Sequence, residues 1–289
     1  MSGPAPDRAG RGLKVVLFCG GRGIRLREHS ETLPKPMVPI GYRPILWHVM
    51  RYYAHFGQRD FVLCLGYKAD VIKDYFLRYN EALSNDFVLD GRADGRADGR
   101  TDGRAGAVTL LHSDIDDWRI SFIDTGLNAN IGERLRAVRS FVADDEMFLA
   151  NYGDVVTDAP LDTFIEDFRK RGKVAAFISV RPTSYSFHVV RFGADGLVAG
   201  LDDVHSADIW INGGFFIFRR EIFDYLRPGE ELVEAPFARL IAENQLISYR
   251  YDGFWAPMDT LKDVQTLEAH YESGRAPWAL WQRDRAPEG

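Results

Sequence analysis

The chain has 289 residues, 46% hydrophobic and 27% charged, an ordinary globular composition with material for one large domain or two small ones. With 36 basic and 42 acidic residues the formal net charge is −6, which excludes a nonspecific nucleic-acid surface but leaves room for local phosphate sites. No apolar run approaches the roughly 20 residues that span a membrane. The only cysteines, Cys19 and Cys64, sit in apolar strand-like runs, which reads as buried free thiols in a reducing cytoplasm.

Residues 1–12 are polar, without the apolar core of a signal peptide, and read as a flexible tail. A single domain is expected over 13–282, followed by a short tail at 283–289. The stretch Leu13 to Val38 holds the most chemistry. Val15 to Cys19 is long enough for one buried strand, and Gly20, Gly21 and Gly23 break it. Glycines let backbone N–H groups approach phosphate oxygens closely. Arg25 offers a planar fork of donors suited to bridging such oxygens. Lys35 lies between Pro34 and Pro36, which bias Leu33 and Lys35 towards extended backbone and would fix where the lysine points. A P-loop is excluded because Arg25 stands where its second glycine belongs. A dinucleotide fingerprint is excluded because Leu26 replaces its third glycine.

Pro44 opens a helix expected to reach Phe56, in which His48 reads as a packing or hydrogen-bonding residue. Phe61 to Leu65 reads as a strand and Lys68 to Leu83 as a helix, so this part alternates as a parallel α/β sheet does. Residues 90–106 repeat Asp-Gly-Arg-Ala with one threonine, carry nothing apolar larger than alanine, and read as a solvated loop insertion. Strands are expected at Val108–Leu111, Arg119–Ile123 and Met147–Asn151, with helices at Ile131–Val138 and Pro160–Lys170. The pattern then turns to strands at Val174–Val180, Ser186–Phe192, Leu197–Leu201 and Ile209–Phe218. Helices near Arg219–Leu226 and Glu234–Asn244, a strand at Leu246–Tyr251 and a helix at Leu261–Tyr271 follow. The fold class is α/β, with a mixed, mostly parallel central sheet flanked by helices and a small additional sheet in the C-terminal half.

Asp154 follows an apolar strand and Gly153, so it and the loop after Cys19 could share the carboxyl edge of the sheet. A carboxylate beside a polyphosphate calls for a bridging cation, and Mg²⁺ is held by one or two carboxylates plus phosphate and water oxygens. Asp259 offers a second carboxylate. Taken singly, Asp154 equally reads as an Asx turn and Asp259 as the cap of the last long helix.

The pattern GG-x-G-x-RL followed by PKP resembles the signature of sugar-1-phosphate nucleotidyltransferases, whose first loop wraps the triphosphate of an incoming nucleotide. Ile24 departs from it, since the family usually has threonine there. KPMVPIG, PILWHVMRYY, NYGDVV, INGGFF, GFWAPMDTLKD and APWALW look like segments of glucose-1-phosphate cytidylyltransferases. The likeness covers nearly all of 14–281 apart from the 90–106 insertion, and it implies a Rossmann-like nucleotidyltransferase fold.

By that resemblance Asp154 and Asp259 hold magnesium. Leu17, Phe18, Cys19, Gly20, Gly21, Arg22, Gly23, Ile24 and Arg25 wrap the nucleotide, and Arg25 and Lys35 serve catalysis at the phosphates. Ala129, Arg134 and Gly153 fall at further nucleotide contacts, with Ala129 in place of a common serine. The DTG…G-x-RL segment looks like the cytidylyl subset, which favours CTP. Asn212, Gly213 and His205 fall on the sugar-phosphate side. There the family's Glu-Lys-Pro is replaced by Asp202-Asp203-Val204, so either another cation substitutes, with His205, Arg181 and Arg191 as candidates, or the sugar-phosphate half of the site has changed; His188 is also unusual for the family and reads equally as a packing residue. The implied reaction joins CTP and a sugar 1-phosphate, by default glucose 1-phosphate, into a CDP-sugar and pyrophosphate, in a cytoplasmic homo-oligomer. The alternatives are a nucleotide-binding regulatory chain that has lost its acceptor site, and the same enzyme class with another nucleotide or sugar. APWALW reads either as a subunit contact or as a segment folded back on its own chain.

Overall fold

The structure, a computed structural model, describes residues 12–21, 33–90, 107–182, 188–204 and 208–283. The strand that the glycines end is β1 (Lys14–Phe18). Its Val15 and Leu17 enter one hydrophobic cluster and its Val16 and Phe18 the other. A central parallel strand is buried on both faces, which is why this run lacks polar alternation. The chain continues through a 3-10 turn at Lys35–Met37 and a tight ribbon, β2 (Pro39–Ile40) with β3 (Arg43–Pro44), into α1 (Ile45–His55). Next come β4 (Asp60–Leu65), α2 (Ala69–Leu77), the hairpin of β5 (Phe87–Asp90) and β6 (Ala107–Leu110), and β7 (Arg119–Asp124). α3 (Ile131–Ala137) and α4 (Arg139–Val142) lead to β8 (Met147–Asn151) and β9 (Val155–Thr157). α5 (Leu161–Arg171) and β10 (Ala175–Val180) precede the hairpin of β11 (His188–Phe192) and β12 (Val198–Asp203). The rest is β13 (Ile211–Arg219), α6 (Ile222–Tyr225), α7 (Ala235–Ala242), β14 (Leu246–Tyr251), β15 (Trp255–Pro257), α8 (Leu261–Glu272) and α9 (Leu280–Arg283).

The main sheet has seven strands in the order β14-β10-β13-β8-β1-β4-β7, and β13 alone runs against the others. α1, α5 and α8 pack on one face, and α3, α6 and α7 on the other. From β1 the chain moves outward to β4 and β7, then returns to lay β8 on the other side of β1. The carboxyl ends of β1 and β8 therefore flank the point where strand order reverses, and open α/β sheets bind ligands in that crevice.

The mixed, mostly parallel sheet is as expected, and the additional sheet is a set of two-stranded ribbons. Several local expectations need correction. The helix begun near Lys68 stops at Leu77 instead of Leu83. Beyond it the chain turns inward so that the Asn80 carbonyl and the Ser84 hydroxyl meet the buried guanidinium of Arg43. Lys35 is not extended: Pro34 takes that conformation and Lys35 opens the 3-10 turn. A proline in the second position is no obstacle there, because first-turn N–H groups have no partner within the helix. Strand β13 runs through Arg219, which leaves only one helical turn, α6, where a longer helix was expected. Residues 91–106 lie outside the described residues, and Asp90 pairs with Ala107, so the insertion joins two hairpin strands.

The C-terminal aromatic segment folds back on its own chain. Trp278 is fully buried and donates from Nε1 to His48 Nδ1 at 3.2 Å. Since indole only donates, His48 Nδ1 accepts and its Nε2–H donates to the Ile40 carbonyl at 3.0 Å. Burial lowers the His48 pKa to about 4, which keeps this tautomer neutral at physiological pH. The packing role expected for His48 is what the fold gives it. Cys19 and Cys64 are buried free thiols, as expected.

Candidate active site

Two short strands that no periodicity announces bring the carboxylates together. β9 and β15 pair antiparallel, with Val155 opposite Pro257, and the Met258 N–H donates to the Asp154 carbonyl at 3.0 Å. Asp154 and Asp259, over a hundred residues apart in sequence, thus leave this ribbon side by side. Lys35 Nζ lies between them, 2.6 Å from Asp154 Oδ2 and 2.5 Å from Asp259 Oδ1. The lysine side chain is only 15% exposed. Desolvation works to lower its pKa, but the charges and hydrogen bonds of Asp154 and Asp259 outweigh it and hold the ammonium above its ordinary value. Burial pushes the Asp154 carboxyl up, and Lys35 pulls against it without cancelling the shift. The cluster lies beside the carboxyl ends of β1 and β8, in the crevice described above.

Neither aspartate is consumed by the local role it could have had. Thr260, not Asp259, caps α8, and Asp263 takes the N–H groups of both Asp259 and Thr260. The turn after β8 is closed by Asn151, whose Oδ1 accepts from the Gly153 N–H at 2.7 Å. Gly153 has φ +77°, and a Cβ there would lie 3.3 Å from Cys19 Sγ. The glycine both turns the chain and lets Asp154 reach the end of β1.

The opposite rim is organised by Arg134, which is 2% exposed. Its guanidinium donates to the carbonyls of Leu65 and Gly20, each at 3.0 Å, and to Thr125 Oγ1 at 2.7 Å. One side chain thereby ties the carboxyl ends of β1, β4 and β7. Gly20 is required for this, since a Cβ there would lie 1.9 Å from Arg134 Nη1. Ala129 lies in the loop between Thr125 and Asn130, where Asn130 and Glu133 form the capping box that starts α3. Leu17, Phe18 and Cys19 have buried side chains and form the floor, while Gly21 is exposed with open space where a side chain would be. Arg22, Gly23, Ile24 and Arg25 lie outside the described residues, as does His205.

At the start of β13, Asn212 Nδ2 donates to the Tyr152 hydroxyl at 3.4 Å, and Asn212 Oδ1 accepts from the Gly214 N–H. The Gly213 carbonyl accepts from Trp255 Nε1 at 2.8 Å. Asp203 pairs with His188 across the β11–β12 hairpin, and Arg191 on that hairpin is held by Asp202 at 2.6 Å. Arg181 stands at the end of β10, beside the first residues of β13. Gly66 and Tyr152 lie outside the sequence expectations, and Thr125 enters them only as part of the DTG segment. Gly66 follows β4 directly and Thr125 follows β7 directly, at the edge where Gly20 lies just past β1, and that shared edge was the available signal.

Among the described residues no cluster of three or more His, Cys, Asp or Glu side chains is arranged to hold a metal. The donor set is two carboxylates converging on one cationic point, now met by the Lys35 ammonium. Magnesium takes this kind of site, with one or two protein carboxylates and the remaining ligands from phosphate and water. The residues present fit that ion. Among the described residues no helix is long and apolar enough to cross a membrane.

Residues 14–260 match the family model described as Nucleotidyl transferase. A glucose-1-phosphate cytidylyltransferase of Salmonella typhimurium is 36% identical over 276 residues, covering 93% of this chain and 100% of that protein. A probable glucose-1-phosphate cytidylyltransferase of Bacillus subtilis is 33% identical over 275 residues, again covering 93% of this chain and 100% of the relative. Among solved structures, HddC from Yersinia pseudotuberculosis aligns with a TM-score of 0.62 at 19% identity, over 90% of this chain and 100% of that one. That likeness speaks for the fold, whereas the family match and the full-length relatives speak for descent. The chain belongs to the nucleotidyl transferase family.

Proposed function

We propose that this chain is a magnesium-dependent cytidylyltransferase that makes CDP-glucose and pyrophosphate from CTP and glucose 1-phosphate. The observation that carries the reading is the Lys35 ammonium held between Asp154 and Asp259 at the carboxyl edge of β1 and β8. The names of the two relatives above supply the nucleotide and the sugar.

The attacking group is a phosphate oxygen of the sugar 1-phosphate, already ionised at neutral pH. It forms a bond to the α-phosphorus of CTP as the bond from that phosphorus to the β-phosphate oxygen breaks. The bonding electrons leave with pyrophosphate, and no proton has to move. The protein is therefore asked for position and charge, not for a nucleophile or a base. Lys35, beside both carboxylates, would offer its ammonium to the phosphates. Magnesium on Asp154 and Asp259 would act as Lewis acid and template. Arg134 holds Gly20 and the strand ends in place, so that the glycine loop begins from a rigid base. Arg25, in the loop, would offer its fork to the triphosphate.

The test is pyrophosphate release with CTP, UTP or dTTP against a panel of sugar 1-phosphates. CTP with glucose 1-phosphate is expected to give the fastest release. Comparable release with UTP or dTTP would refute the nucleotide assignment, and faster release with another sugar would refute the acceptor.

A further inference from the structure

A second polar group stands at the same edge of the sheet, on its β14 side. The strand register sets Arg250 of β14 opposite Ser179 of β10, and Ser179 opposite Asn212 of β13. The three form one row across three strands and share one face. Arg181 follows one step beyond β10. Its Nε donates to Asp252 Oδ1 at 3.1 Å, and its Cζ lies 4.8 Å from the centre of the Trp210 indole. The Cζ of Arg250 lies over the same ring at 5.3 Å. Asp208 is bonded to the Trp210 Nε1–H at 2.8 Å and lies 3.9 Å from Arg181. Through Asn212 and its bond with Tyr152, the row meets the turn that carries Asp154.

We propose that Arg181, Arg250 and Trp210, with Asp208 and Asp252, recognise the hydroxyl-bearing ring of the sugar 1-phosphate and set acceptor specificity. The proposal rests on the sugar-1-phosphate reading above.

Two features select the sugar ring over its phosphate. The group is charge-balanced, two guanidiniums against two carboxylates, whereas a phosphate dianion calls for an excess of positive charge. A polyol calls for both donors and acceptors, and the two guanidiniums and two carboxylates supply both. Position agrees. The acceptor phosphate must touch the α-phosphorus beside the turn after β8, and β10 lies two strand spacings away, roughly 10 Å. What reaches β10 is the ring that extends from that phosphate. A site that hydrogen-bonds particular hydroxyls discriminates strongly, because a misplaced hydroxyl leaves its polar groups unpaired.

The experiment compares the wild-type chain with Arg181→Ala/Arg250→Ala, using glucose, mannose and galactose 1-phosphates. For each sugar, kcat/KM with CTP and affinity by calorimetry are both measured. The expected result is that the spread between the best and worst sugar shrinks about tenfold in the variant. CTP affinity should stay within about twofold, since the group lies outside the proposed nucleotide contacts. Arg181→Lys/Arg250→Lys should restore part of the spread. An unchanged spread overturns the proposal, and so does a uniform loss for all three sugars, which would mark the group as a phosphate anchor. Calorimetry needs no turnover. A chain that binds sugars selectively through these arginines but releases no pyrophosphate would refute the transferase reading and leave this proposal standing.

Discussion

Two arginines at the same edge of the sheet live under opposite rules. Arg134 is buried, and its guanidinium is committed to two backbone carbonyls and a threonine hydroxyl that join three strand ends. Arg181 is about a third exposed, and its carboxylate partners Asp208 and Asp252 are themselves largely in water. A buried charge without its partners is costly, whereas an exposed ion pair contributes little. The β1 side is therefore built as part of the core and can change only at the expense of the fold. The β10 side is set on the surface and can change freely, so differences in specificity between relatives should accumulate there.

The contrast can be broken at several depths. The largest expected effect is on turnover. Lys35→Ala and Asp154→Asn should each lower kcat about a hundredfold to a thousandfold, with the circular dichroism spectrum unchanged. Lys35→Ala also leaves two carboxylates facing each other without their cation, so its residual activity should respond most steeply to added Mg²⁺. Near-normal turnover in either variant would remove the cluster from the mechanism.

Next is Arg134→Ala, which strands the Gly20 and Leu65 carbonyls and should cost about 3 kcal/mol in denaturant unfolding. Arg134→Lys should not repair it, since an ammonium cannot reproduce the fork that spans three partners. A loss below about 0.5 kcal/mol would place Arg134 with the surface arginines.

A third effect reads the buried clamp at the C-terminal end. His48 is neutral in the fold with a pKa of about 4, below its unfolded value near 6.5. Its contribution to stability is fully present above about pH 6.5. It is lost as pH falls, because the unfolded chain takes up the proton first, and the loss is complete below about pH 4. The full change is about 3 kcal/mol, and His48→Phe should flatten the slope of stability against pH over that window. The smallest effect belongs to the exposed flank: Asp252→Asn should change stability by less than about 1 kcal/mol.

How much of this was legible in the chain follows from the range of each interaction. β1, β4 and β8 are doubly buried apolar runs, and such runs declare themselves. Lys35, Asp154 and Asp259 were legible as residues, through turn chemistry and family resemblance. Their meeting was not, because it depends on β9 and β15, three residues each, too short to carry a period. The rule for residues before proline misplaced Lys35, because first-turn hydrogen bonding overrode it. The end of α2 was hidden because its cause, the buried Arg43, lies in another element. Arg134 was picked out as a ligand contact, and nothing in the sequence showed that strand-end carbonyls occupy its guanidinium. The row Arg250–Ser179–Asn212 is a matter of register across three strands, which no single segment encodes.

The central claim is that the Lys35–Asp154–Asp259 cluster serves nucleotidyl transfer from CTP to a sugar phosphate. The most direct measurement is pyrophosphate release from CTP and glucose 1-phosphate in the presence of Mg²⁺, for the wild-type chain and Asp154→Asn side by side. The account predicts release by the wild type that stops on chelation of the metal and nearly vanishes in the variant. Release that survives both chelation and the substitution would contradict it.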